Sequence, residues 1–432
     1  MWNGLIDRRP QLIARCAWPE DVIGAIRFAR ERGLRIAVRG GGHGVAGHAV
    51  CDSGLVIDLR ELNGVVIDAG RRIVRAAGGS MIGDVDVASQ RYGLAVPLGV
   101  VSATGIGGLT LGGGYGWLRH PYGLSCDNLV AADVVTADGR IVRASDEDDP
   151  ELLWGLRGGG GNFGVVTSFE FSAHPVGPQV AFVFSLKEAR DASQMRAALK
   201  AFRELSARDS DEVSSIGAIG VVPPEDHYPR ELHGVPYVLF GAMYAGAAAE
   251  GEKVLRPYRD FGTTLLDASG VMPYLDAQRM FDADYPDGRR YYWKSLSLLR
   301  FDDEVIDRVV ELARRQPSML STTDLWPVYR SPNAPPGAFY GRHAAFLINA
   351  EANWDDPEAD AANIKWAREL VSGLEPYSDR SRYLNFAGFM EEGDEMMRTA
   401  FGPNHQRLAA LKRRYDPDNV FHLNQNVLPL PA

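Results

Sequence analysis

Three glycine-rich segments, each next to a strand-like run, constrain this chain more than any other feature of its sequence. They read VRGGGHGVAGHAV at 38–50, LGVVSATGIGGLTLGGGYG at 98–116 and LRGGGGNFGVV at 156–166. A glycine backbone lets a ligand approach closely and presents several N–H groups to a phosphate. We interpret the three segments together as a nucleotide-cofactor site, and the alternative is that the glycines only form turns.

Neither of the two common nucleotide-binding patterns fits these segments. From Gly105 onward, Thr110 stands where a dinucleotide-binding turn has its third glycine, and LGGGYG interrupts the helix that has to follow. The segment RGGGGNFG lacks the Lys-Ser/Thr pair of a phosphate-binding P-loop. The sequence therefore predicts a nucleotide site of another kind.

The strand and helix patterns predict an α+β protein of two domains, since 432 residues exceed one ordinary core. Helices are predicted over 18–33, 81–93, 190–206 and 303–315, and a strand hairpin turns at Asp138 and Gly139. After HPVGP the segments lengthen and alternate in the manner of half-exposed antiparallel strands. This change places a domain boundary near residue 173.

The composition argues against several classes of partner. The 56 acidic and 46 basic side chains give a net charge of -10, which disfavours a nucleic-acid surface. No stretch approaches the roughly 18 apolar residues of a membrane span, and the start has no secretory pattern, so we expect a cytoplasmic protein without membrane attachment. Cys16, Cys51 and Cys126 are widely spaced, which disfavours a disulfide framework or a zinc site, and we expect no metal.

Taken in order, the glycine-rich segments, DNLVAADVVTADG, RYLNF and YDPDNVFHLNQN resemble the motifs of the berberine bridge enzyme-like FAD-linked oxidases. That group belongs to the vanillyl-alcohol oxidase superfamily, and the resemblance runs from residue 2 to residue 427. It implies a PCMH-type FAD-binding domain of two subdomains, formed by residues 1–172 together with the C-terminal return at 383–432. It also implies a substrate domain at 173–382 with a large antiparallel sheet flanked by helices.

The resemblance implies that FAD is bonded to this chain. In the family, the histidine of the R-x-G-G-H loop is linked to the flavin 8α carbon, and the matching residues here are Arg39, Gly40, Gly41, Gly42, His43 and Gly44, with His48 in the same pocket. Many members carry a second link from a cysteine, but Val101 holds that position, so we predict the single histidyl link of the bacterial branch. The other expected FAD contacts are Gly99, Gly105, Gly107, Gly108, Gly112, Gly113, Gly116, Asn128, Leu129, Gly161, Gly164, Val166, Asn424 and Asn426.

The resemblance also implies a reaction, in which flavin N5 takes a hydride, a protein base removes the substrate proton and O2 reoxidises the flavin. We predict Tyr383 of RYLNF as the base, with Asn385 beside it. Because the ordinary pKa of tyrosine is near ~10, the base needs a neighbouring cation. Alternation along RRYYWKSLSL puts Tyr292 and Lys294 on one face, away from Trp293, and we predict that face in the active site.

The predicted function is oxidation of a C–OH or C–N bond in a small natural product or alkaloid-like compound by a monomeric or homodimeric enzyme. Two alternatives stay open from the sequence. One is a flavin dehydrogenase that uses an acceptor other than O2, and the other is a flavin-binding protein without catalysis. For Lys294, the alternative is a solvated strand residue beside core aromatics.

Overall fold

The structure is a computed structural model that describes residues 2–329, 334–391 and 393–431. The first part of the chain forms nine strands and five helices: β1 (Leu12–Arg15), α1 (Pro19–Glu31), β2 (Ile36–Arg39), β3 (Leu55–Asp58), β4 (Val65–Asp68), β5 (Ile73–Ala77), α2 (Ile82–Gln90), β6 (Leu94–Ala95), α3 (Ile106–Leu111), α4 (Arg119–Tyr122), β7 (Leu129–Val135), β8 (Ile141–Ser145), α5 (Pro150–Leu156) and β9 (Val165–Ser172).

The remainder of the described chain continues with β10 (His174–Pro175), β11 (Gln179–Glu188), α6 (Ala192–Ser206), β12 (Val213–Val221), β13 (Pro236–Tyr244), α7 (Ala248–Asp260), β14 (Thr264–Asp267), β15 (Gly270–Pro273), α8 (Tyr274–Gln278), β16 (Arg290–Leu298), α9 (Asp303–Ala313), β17 (Thr322–Pro327), β18 (Phe346–Trp354), α10 (Asp360–Leu374), α11 (Asp394–Phe401) and α12 (His405–Tyr415). This mixture confirms the predicted α+β class. Among the described helices, none has the length and apolarity that a membrane crossing requires.

Two small sheets form the part of the molecule that carries the glycine-rich segments. A parallel sheet has the strand order β1-β3-β2, and an antiparallel sheet has the order β4-β5-β9-β7-β8. Helix α1 begins with Pro19, whose fixed φ suits the first helical turn, and buries Val22, Ile26 and Ala29 against the parallel sheet. Strands β2 and β9 flank the first and third glycine-rich segments, so the two sheets hold those segments at fixed positions.

An antiparallel sheet of eight strands dominates the rest of the molecule. Its path is β14-β11-β13-β12-β17-β18-β16, and β15 also pairs with β11. One face of this sheet shares a hydrophobic core with helices α6, α9 and α10. The other face packs against residues around Trp117 and Tyr383. Every residue of β18 is buried. The prediction of half-exposed strands is therefore wrong, because both faces of the sheet are covered.

The C-terminal helices return to the small sheets. Phe401 of α11 and Leu408 of α12 share a core with Phe163, which lies in the third glycine-rich segment. The fully buried Lys412 ammonium donates to the Asp416 carboxylate at 2.7 Å and to the Phe421 carbonyl at 2.8 Å. This ion pair fixes the end of α12. The domain limits at 172 and 382 stay a prediction.

Candidate active site

A cavity of about 390 Å³ lies where the glycine-rich segments meet the eight-stranded sheet. One wall is backbone from the three glycine-rich segments, and the facing wall is made of side chains from β11, β12, β13, β16, β17 and β18. Residues 383–387 and 423–425 also contribute to the lining. The fold thus brings a wall rich in backbone amides and a wall rich in side chains to opposite sides of one enclosed space.

His43 faces this cavity from the loop that follows β2. A Cβ at Gly41 would lie 2.5 Å from the backbone nitrogen of Gly105, so glycine is needed where the first two glycine-rich segments touch. The His43 imidazole stacks on the Trp2 indole with ring centroids 3.8 Å apart. Burial lowers the pKa of His43 to about 4, and its Nε2 has no hydrogen-bond partner among the described residues. His43 is therefore neutral at physiological pH, and a neutral imidazole is the form that acts as a nucleophile.

The lining suits a flat cofactor that carries phosphates, as FAD does. A Cβ placed on Gly44, Gly108 or Gly161 would meet no heavy atom within 4 Å, so these glycines leave open space beside the backbone. His48 and Gln425 also line the cavity, and each has a buried polar atom with no partner among the described residues. Open backbone can approach a pyrophosphate, and the unpaired polar atoms can bond to polar edges of the ligand. The residues present therefore fit FAD.

The third glycine-rich segment is held by the C-terminal tail. Asn162 donates to the Gln425 carbonyl at 3.1 Å and accepts from the Val427 N–H at 3.0 Å. Asn424 donates to the Gly161 carbonyl at 2.9 Å. The conformation of this wall thus depends on residues more than 260 positions apart in sequence.

Most of the residues predicted to contact FAD line the cavity. These are Gly40, Gly41, Gly42, His43, Gly44, His48, Gly99, Gly105, Gly107, Gly108, Gly112, Gly161, Gly164, Val166 and Asn424. Six others lie outside its lining, namely Arg39, Gly113, Gly116, Asn128, Leu129 and Asn426. The first group lies where the predicted FAD contacts would be, and the contact of the second group with FAD stays a prediction.

The residues outside the lining have structural reasons for their identity. A Cβ on Gly116 would lie 1.6 Å from the Leu98 carbonyl oxygen, so close backbone packing requires glycine there. The Asn128 amide donates to the Leu124 carbonyl at 2.9 Å, and its oxygen bonds His174 Nε2 at 2.7 Å. Leu129 is a core residue. A motif read along the sequence contains such packing residues as well as ligand contacts.

The three other residues outside the lining either contact other parts of the chain or lie beside the cavity. They are Arg39, Gly113 and Asn426. A Cβ on Gly42 would lie 2.9 Å from Arg39 Nε, which places the guanidinium beneath the first glycine-rich segment. Gly113 has a φ of +124°, and a Cβ there would approach the Phe339 ring at 2.8 Å. Asn426 Oδ1 is buried without a partner among the described residues, yet the side chain does not reach the lining.

Tyr383 and Asn385 both line the cavity where the second glycine-rich segment ends. The Tyr383 hydroxyl oxygen accepts hydrogen bonds from the Gly114 N–H at 3.0 Å and from the Asn385 amide at 2.8 Å. The same amide donates to the Leu109 carbonyl at 3.0 Å. Burial raises the pKa of Tyr383 to about 12, and the two bonded donors only partly oppose this rise. At neutral pH, Tyr383 therefore keeps its proton and can donate it into the cavity.

Tyr292 and Lys294 share one face of β16, but that face points away from the cavity. The Lys294 ammonium forms an ion pair with Glu391, and the Tyr292 hydroxyl also bonds Glu391 and accepts from Arg368 at 2.9 Å. Neither residue is in the lining, whereas Trp293 between them is. The predicted alternation holds, but the choice of the active-site face has to be corrected. Lys294 therefore supplies no cation beside Tyr383.

Sequence reasoning missed most of the side-chain wall. Trp293, Trp326, Asp324 and Glu351 line the cavity, and all four are more than nine-tenths buried. Each lies in a strand whose successive side chains point to opposite faces of the sheet. The alternation along the sequence was therefore a signal for these residues. The alternation alone did not distinguish the cavity face from the helix-covered face, because both faces are buried.

The position at which many members of the family carry the second linking cysteine lies in the cavity. Val101 lies in the lining, and the three cysteines of the sequence, Cys16, Cys51 and Cys126, lie outside it. Burial raises the pKa of the Cys16 thiol to about 11, and burial also raises the pKa of the Cys126 thiol. The Cys16 and Cys126 thiols are therefore protonated at neutral pH, and none of the three cysteines lines the cavity.

Comparisons with known proteins identify the group to which the chain is related. Residues 10–145 match a family model described as FAD binding domain, and residues 382–428 match one described as berberine and berberine like. The chain is 30% identical to (R)-6-hydroxynicotine oxidase of Paenarthrobacter nicotinovorans, over 99% of this chain and 93% of that protein. It is also 28% identical to an FAD-linked oxidoreductase of Dictyostelium discoideum, over 99% and 91% of the two chains.

Solved structures show the same fold. The crystal structure of 6-hydroxy-D-nicotine oxidase from Arthrobacter nicotinovorans superposes with a TM-score of 0.86 at 28% identity and covers 99% of this chain and 94% of that one. Glucooligosaccharide oxidase of Acremonium strictum, which carries a 6-S-cysteinyl, 8α-N1-histidyl FAD, has a TM-score of 0.86 at 22% identity, with 100% and 94% covered. At 22% identity, the likeness to glucooligosaccharide oxidase shows the fold alone. Together with the cavity, the sequence relationships show that this chain belongs to the berberine bridge enzyme-like family of FAD-linked oxidoreductases.

Proposed function

We propose that this enzyme is an oxidase whose FAD is linked once, through His43, and that it oxidises a C–OH or C–N bond of a small molecule with O2 as the acceptor. The observation that carries the proposal is the His43 imidazole, which lines the cavity, is neutral at physiological pH and has no partner at Nε2 among the described residues. When bound, FAD supplies a hydride acceptor whose two electrons pass to O2, which is reduced to hydrogen peroxide.

In this proposal, an imidazole nitrogen of His43 would bond the 8α carbon of the flavin. The imidazole and the 8α methyl group would each lose one hydrogen, which would leave the flavin reduced by two electrons, and O2 would reoxidise it. A histidyl substituent withdraws electron density from the ring system and raises its reduction potential, which favours oxidation of poorly reducing substrates. The Trp2 indole stacks on the imidazole and fixes the plane of the ring. Val101 occupies the position where a second link would otherwise form, so we propose a single covalent bond.

We propose for Tyr383 a role other than the removal of the substrate proton. Its oxygen already accepts two hydrogen bonds, and its raised pKa keeps the phenol protonated. We therefore propose Tyr383 as a hydrogen-bond donor to the heteroatom of the substrate, and Asn385 as the residue that positions the phenol. In the oxidation of a C–OH bond, the hydroxyl proton would pass to water. The Asn385 amide bridges the Tyr383 hydroxyl and the Leu109 carbonyl, so it holds the hydroxyl at a fixed position next to the second glycine-rich segment.

The relatives support both classes of bond. The name (R)-6-hydroxynicotine oxidase denotes a nicotine derivative as substrate, which favours a C–N bond. The name xylooligosaccharide oxidase, borne by a relative from Thermothelomyces thermophilus that is 26% identical to this chain, denotes a carbohydrate and favours a C–OH bond. We expect the enzyme to act as a monomer or a homodimer.

The first test is acid precipitation of the purified protein. A yellow, fluorescent pellet is expected from the wild type, because a covalent flavin stays with the denatured chain. The His43→Ala variant should release its flavin into the supernatant. The His48→Ala variant is the matched control, since His48 also lines the cavity and burial lowers its pKa to about 4 as well. A colourless wild-type pellet, or release from His48→Ala alone, would contradict the assignment.

A second measurement distinguishes an oxidase from a dehydrogenase. Oxygen uptake and hydrogen peroxide are measured with a panel of alcohols and cyclic amines, and the same panel is repeated without O2 in the presence of a quinone or dye acceptor. The proposal predicts turnover with O2 that matches or exceeds turnover with the dye. Turnover that requires the dye would assign the protein as a dehydrogenase instead.

A further inference from the structure

We propose that residues 2–4 position His43 for its bond to FAD and that Trp2 sets the plane of the imidazole while this bond forms. The inference rests on the single histidyl link proposed above, and it names the residues on which the formation of that link depends. Three observations carry it, namely a stack of aromatic rings that includes His43, the hydrogen bonds that fix this stack, and the position of Trp2 outside the cavity lining.

The His43 imidazole belongs to a stack of three rings. The centroid of the Trp2 indole lies 3.8 Å from that of the imidazole, with an interplanar angle of 21°. It lies 4.0 Å from the centroid of the Tyr291 ring, with an angle of 7°. Two rings at such distances cannot share one face of an indole, so Trp2 lies between His43 and Tyr291. Trp293 meets the indole edge-on at 5.6 Å, and a tilt of the imidazole would break its contact with this packed surface.

Hydrogen bonds hold Trp2 in this place. Its Nε1 donates to the Tyr285 carbonyl at 3.0 Å, and its own carbonyl accepts from the Gly288 N–H at 2.8 Å. The Gly4 N–H donates to the Arg289 carbonyl at 2.7 Å, and a Cβ at Gly4 would overlap the Gly288 carbonyl oxygen. The segment therefore packs directly on the backbone that leads into β16.

Asn3 joins the loop of His43 to strand β16. Its amide nitrogen donates to the Val45 carbonyl and to the Tyr291 carbonyl, both at 2.8 Å. Its Oδ1 accepts from the Tyr291 N–H at 3.0 Å, and the residue is 0% exposed. Val45 follows His43 by two residues and lines the cavity. One buried side chain thus fixes the loop that carries the imidazole to the strand that carries the third ring of the stack.

The loop of His43 needs such support, because its own backbone is permissive. Gly42 and Gly44 flank His43, and glycine populates more conformations than other residues do. His43 Nε2 has no partner among the described residues, so no hydrogen bond at this atom orients the ring. Reacting groups that are aligned before a reaction face a lower barrier. The contact with the indole therefore supplies the alignment that the loop lacks.

Bond formation itself leaves Trp2 unchanged. The bond between the imidazole nitrogen and the 8α carbon forms as an N–H bond and a C–H bond break. The two protons and two electrons so released reduce the flavin, and O2 reoxidises it with formation of hydrogen peroxide. The indole takes no part in this balance, and Trp2 is therefore a positioning residue.

The test follows bond formation in the full-length protein, produced free of FAD in a host starved of riboflavin. Saturating FAD is added in the presence of O2, samples are precipitated with acid at intervals, and the flavin in the pellet gives a first-order rate. Trp2→Phe keeps a flat ring, and Trp2→Leu fills similar space without one. We expect Trp2→Phe to form the bond within about threefold of the wild-type rate and Trp2→Leu roughly tenfold more slowly or worse, because a tilting imidazole is seldom aligned.

Two further measurements separate positioning from cofactor binding and from general packing. Trp2 is outside the cavity lining, so in a His43→Ala background Trp2→Leu should leave the dissociation constant of FAD unchanged. Trp154→Leu is the matched control, because Trp154 is 5% exposed and Trp2 is 4% exposed, and both lie outside the lining. This control should bond FAD at the wild-type rate. If Trp2→Leu gives no folded protein, Trp2→Met takes its place.

Four results would overturn the inference. These are bond formation by Trp2→Leu at the wild-type rate, a Trp2→Phe variant as slow as Trp2→Leu, a loss of FAD affinity large enough to explain the slow rate, or an equal loss of rate in Trp154→Leu. A wild-type protein that never bonds flavin would contradict the proposed function itself. A wild-type protein that bonds flavin, with Trp2→Leu equally fast, would contradict this inference alone.

Discussion

Replacing Gly108 by alanine should stabilise the polypeptide and weaken FAD binding at the same time. Gly108 lies within α3, it lines the cavity, and a Cβ there would meet no protein atom within 4 Å. Its backbone has no left-handed φ, so alanine fits without strain. In such positions Gly→Ala raises the free energy of unfolding by about 0.4–1 kcal/mol, because the unfolded chain loses freedom.

The methyl group would stand in the space that we assign to FAD. An extra methyl in a well-packed contact costs about 1–3 kcal/mol, which is roughly a 5- to 150-fold rise in the dissociation constant of FAD. Both quantities are measured in a His43→Ala background, where FAD exchanges freely. Urea unfolding of the FAD-free protein gives the stability, and flavin fluorescence quenching gives the affinity.

Gly24→Ala is the matched control for this prediction. Gly24 lies inside α1, has no atom within 4 Å of an added Cβ and is outside the cavity lining. It should show the gain in stability without the loss of affinity. If Gly108→Ala binds FAD as tightly as its parent, or if it loses stability without FAD, the placement of the cofactor against α3 is refuted.

Three further predictions follow from buried groups. Lys412→Met leaves the Asp416 carboxylate buried without its cation and should lower the free energy of unfolding by about 3–5 kcal/mol in urea titrations. Tyr383→Phe should retain covalent flavin but lower kcat/KM by about 10²-fold or more, and full activity would remove its assigned role. Burial lowers the pKa of His48 in the folded protein to about 4, whereas its ordinary pKa is 6.5. The unfolded chain therefore binds more protons than the folded protein between pH 6.5 and pH 4. Stability should therefore fall from pH 6.5 to pH 4, and less steeply in His48→Gln.

The sequence predicted the backbone wall of the site well, because that wall is local. The loop from Gly40 to His48 follows directly after β2, and glycines that leave space for a ligand stand next to one another in the chain. Helices α6 and α9 also lie within the predicted ranges, since their apolar residues recur at helical spacing. In these places, neighbours in sequence are neighbours in space.

The side-chain wall could not be predicted in the same way. Residues of β16 alternate correctly, but Tyr292 is covered by helix α10 on one face, and Trp293 faces the cavity on the other. Both faces are buried, so hydrophobicity did not reveal which one lines the cavity. Asp324 and Glu351 come together only through the pairing of β17 with β18. Such pairs depend on strand order, which a single sequence does not state.

The central claim is a bond between His43 and FAD, and mass spectrometry of one peptide tests it most directly. Trypsin cuts after Arg39 and Arg60, so residues 40–60 form one peptide that contains both His43 and His48. We predict that this peptide from the wild-type protein carries the mass of one flavin, and that fragmentation assigns the flavin to His43. An unmodified peptide from flavin-containing protein, or a flavin on His48, would contradict the account.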